Sequence, residues 1–232
     1  MRTSSDGNRL FTYLIPSIHT LLTTMASTTT INITLLPAYI LLCGRTTSGK
    51  DTCAKYLSQV WGYNVVHFAD PLKEGCRHFF GFTDAQLYGE DKMKEDAFWG
   101  ITPRQALQLV GTELMRQTLP TLLPGKMDDR FWLRRMERTL DENPWKSFVI
   151  ADGRFPNEVE FVNEQGGKCI RIERPGVPHL DHASENQIDE LQVHNTIVND
   201  GTVVDMLRKL DAALQLDRTP KPARDAYFAS LA

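Results

Sequence analysis

The run Gly44-Arg45-Thr46-Thr47-Ser48-Gly49-Lys50-Asp51-Thr52 constrains this chain more than any other stretch. It follows a short continuous apolar segment, residues 38–43, that reads as a buried parallel strand. It leads into residues 50–61, where Ala54, Leu57 and Trp61 share one helical stripe. A strand, a glycine-bounded loop ending in Gly-Lys, and a helix together make a phosphate cradle. The glycines let backbone N–H groups converge on phosphate oxygens, Lys50 supplies a point charge, and the helix N-terminus adds its dipole. The strict pattern wants Ser or Thr directly after the lysine to ligate magnesium. Here Asp51 holds that position and the hydroxyl comes one residue later, at Thr52. Asp51 is therefore the candidate metal residue, reaching the ion directly or through water.

Downstream, strand and helix patterns alternate. Residues 64–68 read as a second strand, and Pro71 can open a helix that continues over 72–80. Residues 81–100 are polar, with turn chemistry. Thr102-Pro103 supplies an N-cap and a first helical position, followed by Ala106, Leu107, Val110 and Leu114 at core spacing. A helix over 129–140, a strand over 147–151, a helix over 156–165 closed by Gly166-Gly167, and a strand over 169–172 come next. A fifth strand over 194–198 and a last helix over 202–216, with Val203, Met206, Leu207, Leu210 and Leu214 inward, complete the pattern. This alternation predicts an α/β domain with a parallel sheet and right-handed crossovers, whose ligands bind at the carboxyl ends of the strands.

A second constellation lies at such an end. Asp152-Gly153-Arg154-Phe155-Pro156-Asn157-Glu158 follows the third strand. The aspartate can hold a hydrated metal or accept from a substrate hydroxyl, and the arginine can pair bidentately with phosphate. The bland alternative is a loop ion pair. Lys73, just past the second strand, and Arg104, at the start of a helix, are further cations near that edge. Gly111 sits mid-helix, where it costs about 1 kcal/mol relative to Ala, which implies a close approach by a ligand or by a neighbouring helix. Arg130, Arg134 and Arg138 recur every fourth residue and read as a solvated face.

Composition narrows the function classes. With 26 Lys+Arg against 29 Asp+Glu, the chain lacks the basic excess of a histone-like or polybasic nucleic-acid binder, while a local basic pocket for a small phosphorylated ligand stays open; no direct nucleic-acid partner is expected. No uninterrupted apolar 18-mer suggests a membrane span. Cys43, Cys53, Cys76 and Cys169 form no C-x-x-C pair and read as buried thiols of a reducing compartment. His67 and His194 fall in strand-like runs and read as packed, hydrogen-bonded residues, while His179 and His182 near Asp181 make only a weak metal pattern. No G-x-S-x-G, H-E-x-x-H or Cys/His nucleophile pairing supports a covalent hydrolase. Residues 1–37 are rich in Ser and Thr and poor in charge; they are expected to be a disordered extension, or the product of a start assigned too early with Met25 as the true start, rather than to target the chain.

An ordered set of motifs resembles one family. G-K-D-T at 49–52, D-P-L-K at 70–73, L-V-G-T-E-L at 109–114, D-R-F-W at 129–132, D-G-R-F-P-N-E at 152–158, R-P-G at 174–176 and N-D-G at 199–201 look like the deoxynucleoside monophosphate kinases of bacteriophages and large DNA viruses. The resemblance covers residues 38–216 and leaves 217–232 as a tail. It implies a P-loop, nucleoside-monophosphate-kinase-like three-layer fold, with a five-stranded parallel sheet, a helical substrate-binding region over 71–142 and a lid over 174–192. It also implies transfer of a phosphoryl group from ATP, with Mg2+, to a deoxynucleoside monophosphate in the cytoplasm, the host's if the gene is viral; a homodimer stays open. On this resemblance Gly44, Arg45, Thr46, Gly49, Lys50, Asp51, Thr52 and Arg174 hold ATP and metal. Lys73, Arg104, Gly111, Thr112, Trp132, Asp152, Arg154 and Glu158 surround the acceptor, with Lys50, Asp152 and Arg154 catalytic. Gly153 occupies a variable position of the motif. Phosphomevalonate and dephospho-coenzyme A kinases share parts of this pattern, and a nucleotide-binding protein without turnover is the non-enzymatic alternative.

Overall fold

The computed structural model describes residues 36–177, 187–216 and 222–231. The expectations for residues 1–35, for the middle of the lid, and for Asp181 with His179 and His182 lie outside the described residues. Five strands form one parallel sheet: β1 (Tyr39–Cys43), β2 (Asn64–Val66), β3 (Phe148–Gly153), β4 (Lys168–Glu173) and β5 (Asn195–Val198), in the order β2-β3-β1-β4-β5. The apolar run of β1 therefore ends up central, with Ile40 to Cys43 fully buried, as a strand covered on both faces requires. Its side chains alternate. Ile40 and Leu42 pack with α1 (Lys50–Trp61) and α8 (Val203–Ala213); Leu41 and Cys43 pack with α6 (Phe131–Asp141) and α7 (Pro156–Glu164).

A third core lies off the sheet. Cys76 of α2 (Asp70–Phe80), Leu87 of α3 (Asp84–Leu87) and Ala106 and Leu107 of α4 (Pro103–Gln108) build it with Phe82 and Val110. The polar stretch 81–100, expected only as turns, thus contains a helix. Thr83 and Gln86 cap it reciprocally, and a 3₁₀ turn, Glu90–Met93, follows. Thr102 and Gln105 make the same kind of box at the start of α4, with Pro103 at the first position.

Beyond α4 the helix widens into a π-helical segment, Leu109–Thr118, before a short α5 (Leu119–Leu122). Its i→i+5 bonds shift the register. Leu114, expected in the core, is 41% exposed, and Met115 packs there instead. Two smaller expectations also change. Val203 is the first residue of α8 and is exposed, and β3 runs on to include Asp152 and Gly153. Gly153 is not a free position: a Cβ there would stand 2.8 Å from both Cys43 Sγ and Leu41 Cδ1. The segment expected as a tail carries α9 (Pro222–Ala229), whose Tyr227 and Phe228 rings lie 5.4 and 5.6 Å from that of Tyr56 on α1. All four cysteines are free and buried. Among the described residues, no helix is long and apolar enough to cross a membrane.

Candidate active site

The register brings two clefts to one sheet edge. Cys43 of β1 pairs with Gly153 of β3 and Arg171 of β4, so Gly44, Arg154 and Ile172 lie at adjacent strand ends. This is where the chain crosses from one side of β1 to the other, the crevice in which parallel sheets bind ligands.

The loop after β1 needs its glycines. Gly44 and Gly49 have φ of 138° and 115°, and a Cβ on Gly44 would meet Ile172 O at 2.3 Å. Thr47 also takes positive φ, 64°, a strained choice for a β-branched residue and of the kind that collects at ligand clamps. The loop is tied from outside by Asn199 Nδ2, which donates to Ser48 O at 2.9 Å, and by Arg174, which donates to Thr47 O at 3.4 Å. Lys50 is 7% exposed, and its Nζ donates to Gly44 O and Arg45 O at 2.6 and 2.7 Å. A buried ammonium inside a glycine loop, at the start of a helix, is a donor set for polyphosphate. Asp51, Thr52, Arg174 and the 199–201 turn line a cleft of about 560 Å³ beside it. Thr46 sits exposed at the loop tip, and Arg45 turns to an ion pair with Asp189. Among the described residues, no group of three or more His, Cys, Asp or Glu forms a ready-made metal site.

The second cleft collects the acceptor-side expectations. Lys73, Arg104, Gly111, Thr112, Trp132, Asp152, Arg154 and Glu158 all line one pocket of about 160 Å³. Their roles differ. Asp152 accepts from the N–H groups of Phe68 and Ala69 at 2.8 and 3.0 Å, fixing the turn from β2 into α2. Trp132 is 7% exposed, and its Nε1–H donates to Gly111 O at 2.9 Å, which makes it an anchored wall. The Cα of Gly111 faces Leu72 of α2: an added Cβ would lie 2.6 Å from Leu72 Cδ2, so the close approach is between helices. Lys73 Nζ stands 4.3 Å over the Tyr88 ring.

Glu158 is 2% exposed and works through its neighbours. Its Oε2 accepts from the N–H groups of Arg154 and Phe155 at 2.8 and 3.1 Å, and its Oε1 pairs with Arg116 at 2.6 Å. Burial pushes its carboxyl above the usual range; Arg116 and the two N–H donors pull the other way by less. Arg116 also lies 3.9 Å over the Phe155 ring. Arg116, Lys92 and Gln108 line this pocket too and were missed from the sequence. His67, beside it, bonds Asp70 at 3.1 Å, and that bond raises its pKa. Arg134 and Arg138 pair with Asp128 and Glu142 on the solvent face, as their spacing implied.

A polyphosphate loop beside a cation-lined pocket, at one edge of a parallel sheet, defines a P-loop phosphotransferase. No family model matches the chain. Over 173 residues, 70% of this chain and 88% of the other, it is 39% identical to an Acanthamoeba polyphaga mimivirus protein provisionally named deoxynucleotide monophosphate kinase. Over 124 residues it is 33% identical to the deoxynucleoside-5'-monophosphate kinase of Escherichia phage T5, spanning 49% of this chain and 46% of that one. The chain belongs to the deoxynucleoside monophosphate kinase family. Among solved structures, TT1252 from Thermus thermophilus covers 80% of the chain at 19% identity with a TM-score of 0.45, too distant to carry an argument.

Proposed function

We propose that the protein moves the γ-phosphoryl group of ATP to a deoxynucleoside monophosphate, giving ADP and dNDP, and so supplies nucleotides for DNA synthesis. The observation that carries this reading is the second pocket. Beside the phosphate loop, Lys73, Arg104 and Arg154 converge on a space walled by Trp132, Phe68 and Leu72, which suits an anionic group attached to a flat base.

In this reading Lys50 and the loop N–H groups bind the β- and γ-phosphates. Asp51 and Thr52 line the cleft beside Lys50 and offer the oxygen donors that magnesium prefers; they would hold the ion, which would supply charge neutralisation. Arg154, held through its own N–H by Glu158, stabilises charge on the transferring group. Asp152 keeps the pocket turn in place, and Trp132 bounds the base. An acceptor phosphate, with a second pKa of about 6, is already dianionic near neutral pH. Phosphoryl transfer then needs positioning and charge rather than a strong general base. Residues 71–142 act as the substrate-binding region, and Arg174 closes the nucleotide cleft from the 174–192 segment. The substrates are free nucleotides of the cytoplasm, not nucleic acid.

The test is ADP release from ATP-Mg with the four dNMPs, the NMPs and phosphomevalonate as acceptors. Stimulation by one or more dNMPs, lost in Lys50→Ala with the fold retained by circular dichroism, is the expected result. Release with phosphomevalonate alone, or full activity in Lys50→Ala, would sink the assignment.

A further inference from the structure

Lys92 belongs to no motif. It sits on the 3₁₀ turn Glu90–Met93, inside a stretch that reads as polar turns, yet the fold brings it into the wall of the acceptor pocket. Its neighbour Lys94 shows the ordinary fate of a lysine in such a turn: it pairs with Asp91 and stays 72% exposed. Among the described residues, the pocket wall carries five basic side chains (Lys73, Lys92, Arg104, Arg116, Arg154) against two acidic ones, Asp152 and Glu158. Both acids are already engaged, Asp152 by two backbone N–H groups and Glu158 by Arg116 and two more. A partly buried surplus of positive charge is costly by itself and is offset when an anion enters.

Resting on the proposed function, we infer that Lys92 is a binding residue for the acceptor's phosphate dianion, its ammonium adding to the grip of Lys73, Arg104 and Arg154 in the wall of the same pocket. The empty pocket penalises this ammonium. Burial, then repulsion by Lys73, Arg104 and Arg154, lowers its pKa to about 8, and Asp152 pulls the other way. Glu90 and Asp91 lie on its own turn, and Asp91 is taken by Lys94. At pH 7 Lys92 is therefore mostly charged and ready to bind; at pH 9 it is mostly neutral and must take up a proton first. The acceptor phosphate is dianionic at both pH values, so it contributes little to the difference.

The experiment measures dNMP binding by calorimetry, with turnover alongside, at pH 7 and pH 9 for the native protein, Lys92→Gln, Lys92→Arg and Lys94→Gln. The native protein should bind about tenfold more weakly at pH 9. Lys92→Gln should be weaker by about tenfold or more already at pH 7. It should show no further loss at pH 9, and so also controls for titration of the ligand base. Lys92→Arg should restore tight binding with a flat profile, and Lys94→Gln should match the native protein. In turnover, the loss should appear in the acceptor's KM, with the KM for ATP unchanged. A Lys92→Gln variant that binds as the native protein does, or that keeps the alkaline loss, overturns the inference, as does a native protein that binds no dNMP. Intact, Lys92-dependent binding without ADP release would leave Lys92 standing and refute the kinase reading instead.

Discussion

Glu158→Gln tests whether the acceptor side of the site is built around one buried carboxylate. In the native protein Oε1 receives Arg116 at 2.6 Å, and Oε2 receives the N–H groups of Arg154 and Phe155. An amide has one acceptor oxygen. It can serve Arg116 or the two N–H groups, and its NH₂ then points donors at the other partner. With Glu158 2% exposed and Arg116 side chain 11% exposed, water cannot readily replace what is lost. Breaking a buried pair from one side costs about 3–5 kcal/mol, and glutamine, which keeps half the contacts, should fall near 3 kcal/mol. For a domain of this size each kcal/mol moves Tm by about 2–4 °C, so a fall of about 6–12 °C is expected. The catalytic effect should exceed what stability explains. Arg154 loses the anchor on its backbone, and a displacement of about 1 Å can cost on the order of 10²-fold in rate. Differential scanning calorimetry and acceptor-saturation kinetics below the transition would measure both. A Tm within 2 °C of native, together with unchanged kcat/KM for the acceptor, would refute the reasoning, because it would mean the network is relaxed or hydrated.

Other expectations follow from separate parts of the structure. Gly153→Ala should lower the unfolding free energy by about 1–3 kcal/mol, read as a lower urea midpoint at unchanged slope, since its methyl group has to displace Cys43 and Leu41. Arg154→Ala should lower kcat, or kcat/KM for the acceptor, by about 10-fold or more while leaving the KM for ATP near native; a raised KM for ATP with kcat and the acceptor's KM unchanged would move Arg154 out of the acceptor site. His67 has a raised pKa, chiefly from its bond to Asp70, so the stabilisation it gives is fully present below about pH 6.5 and lost as pH rises through its native-state value. The Tm gap between native protein and His67→Gln should accordingly be wider at pH 5.5 than at pH 8.5, and a gap that grows with pH would refute this.

The parts of the molecule written in local chemistry were readable. The Thr102-Pro103 cap, the Gly166 stop and the apolar runs of β1, β3 and β4 announce themselves because each depends on residues adjacent in sequence. The phosphate loop is readable for the same reason. What stayed hidden depends on non-adjacent partners. The π-helical register, which puts Met115 rather than Leu114 in the core, has no signature in an α-helical periodicity. Arg116 lies on that segment and was passed over with it. Lys92 was invisible because its turn is polar on either side and only tertiary folding carries it inward. α9 was missed because a short helix with two aromatics announces nothing until Tyr56 is seen beneath it.

The four buried thiols give the protein an internal reporter. Burial pushes the Cys76 thiol up to about 11, Cys53 and Cys169 up to about 12, and Cys43 higher still, so none is a competent nucleophile while the fold is closed. Reaction with a thiol reagent then has to wait for local opening, and the four are spread over three separate packing clusters. Cys76 belongs to the helical core under the acceptor pocket, Cys43 and Cys169 to the face packed by α6 and α7, and Cys53 to the face beneath α8. The order in which they are labelled, followed by peptide mass spectrometry, is a map of which wall breathes first. A nucleotide that slows only Cys76 is gripping the helical region and not the sheet.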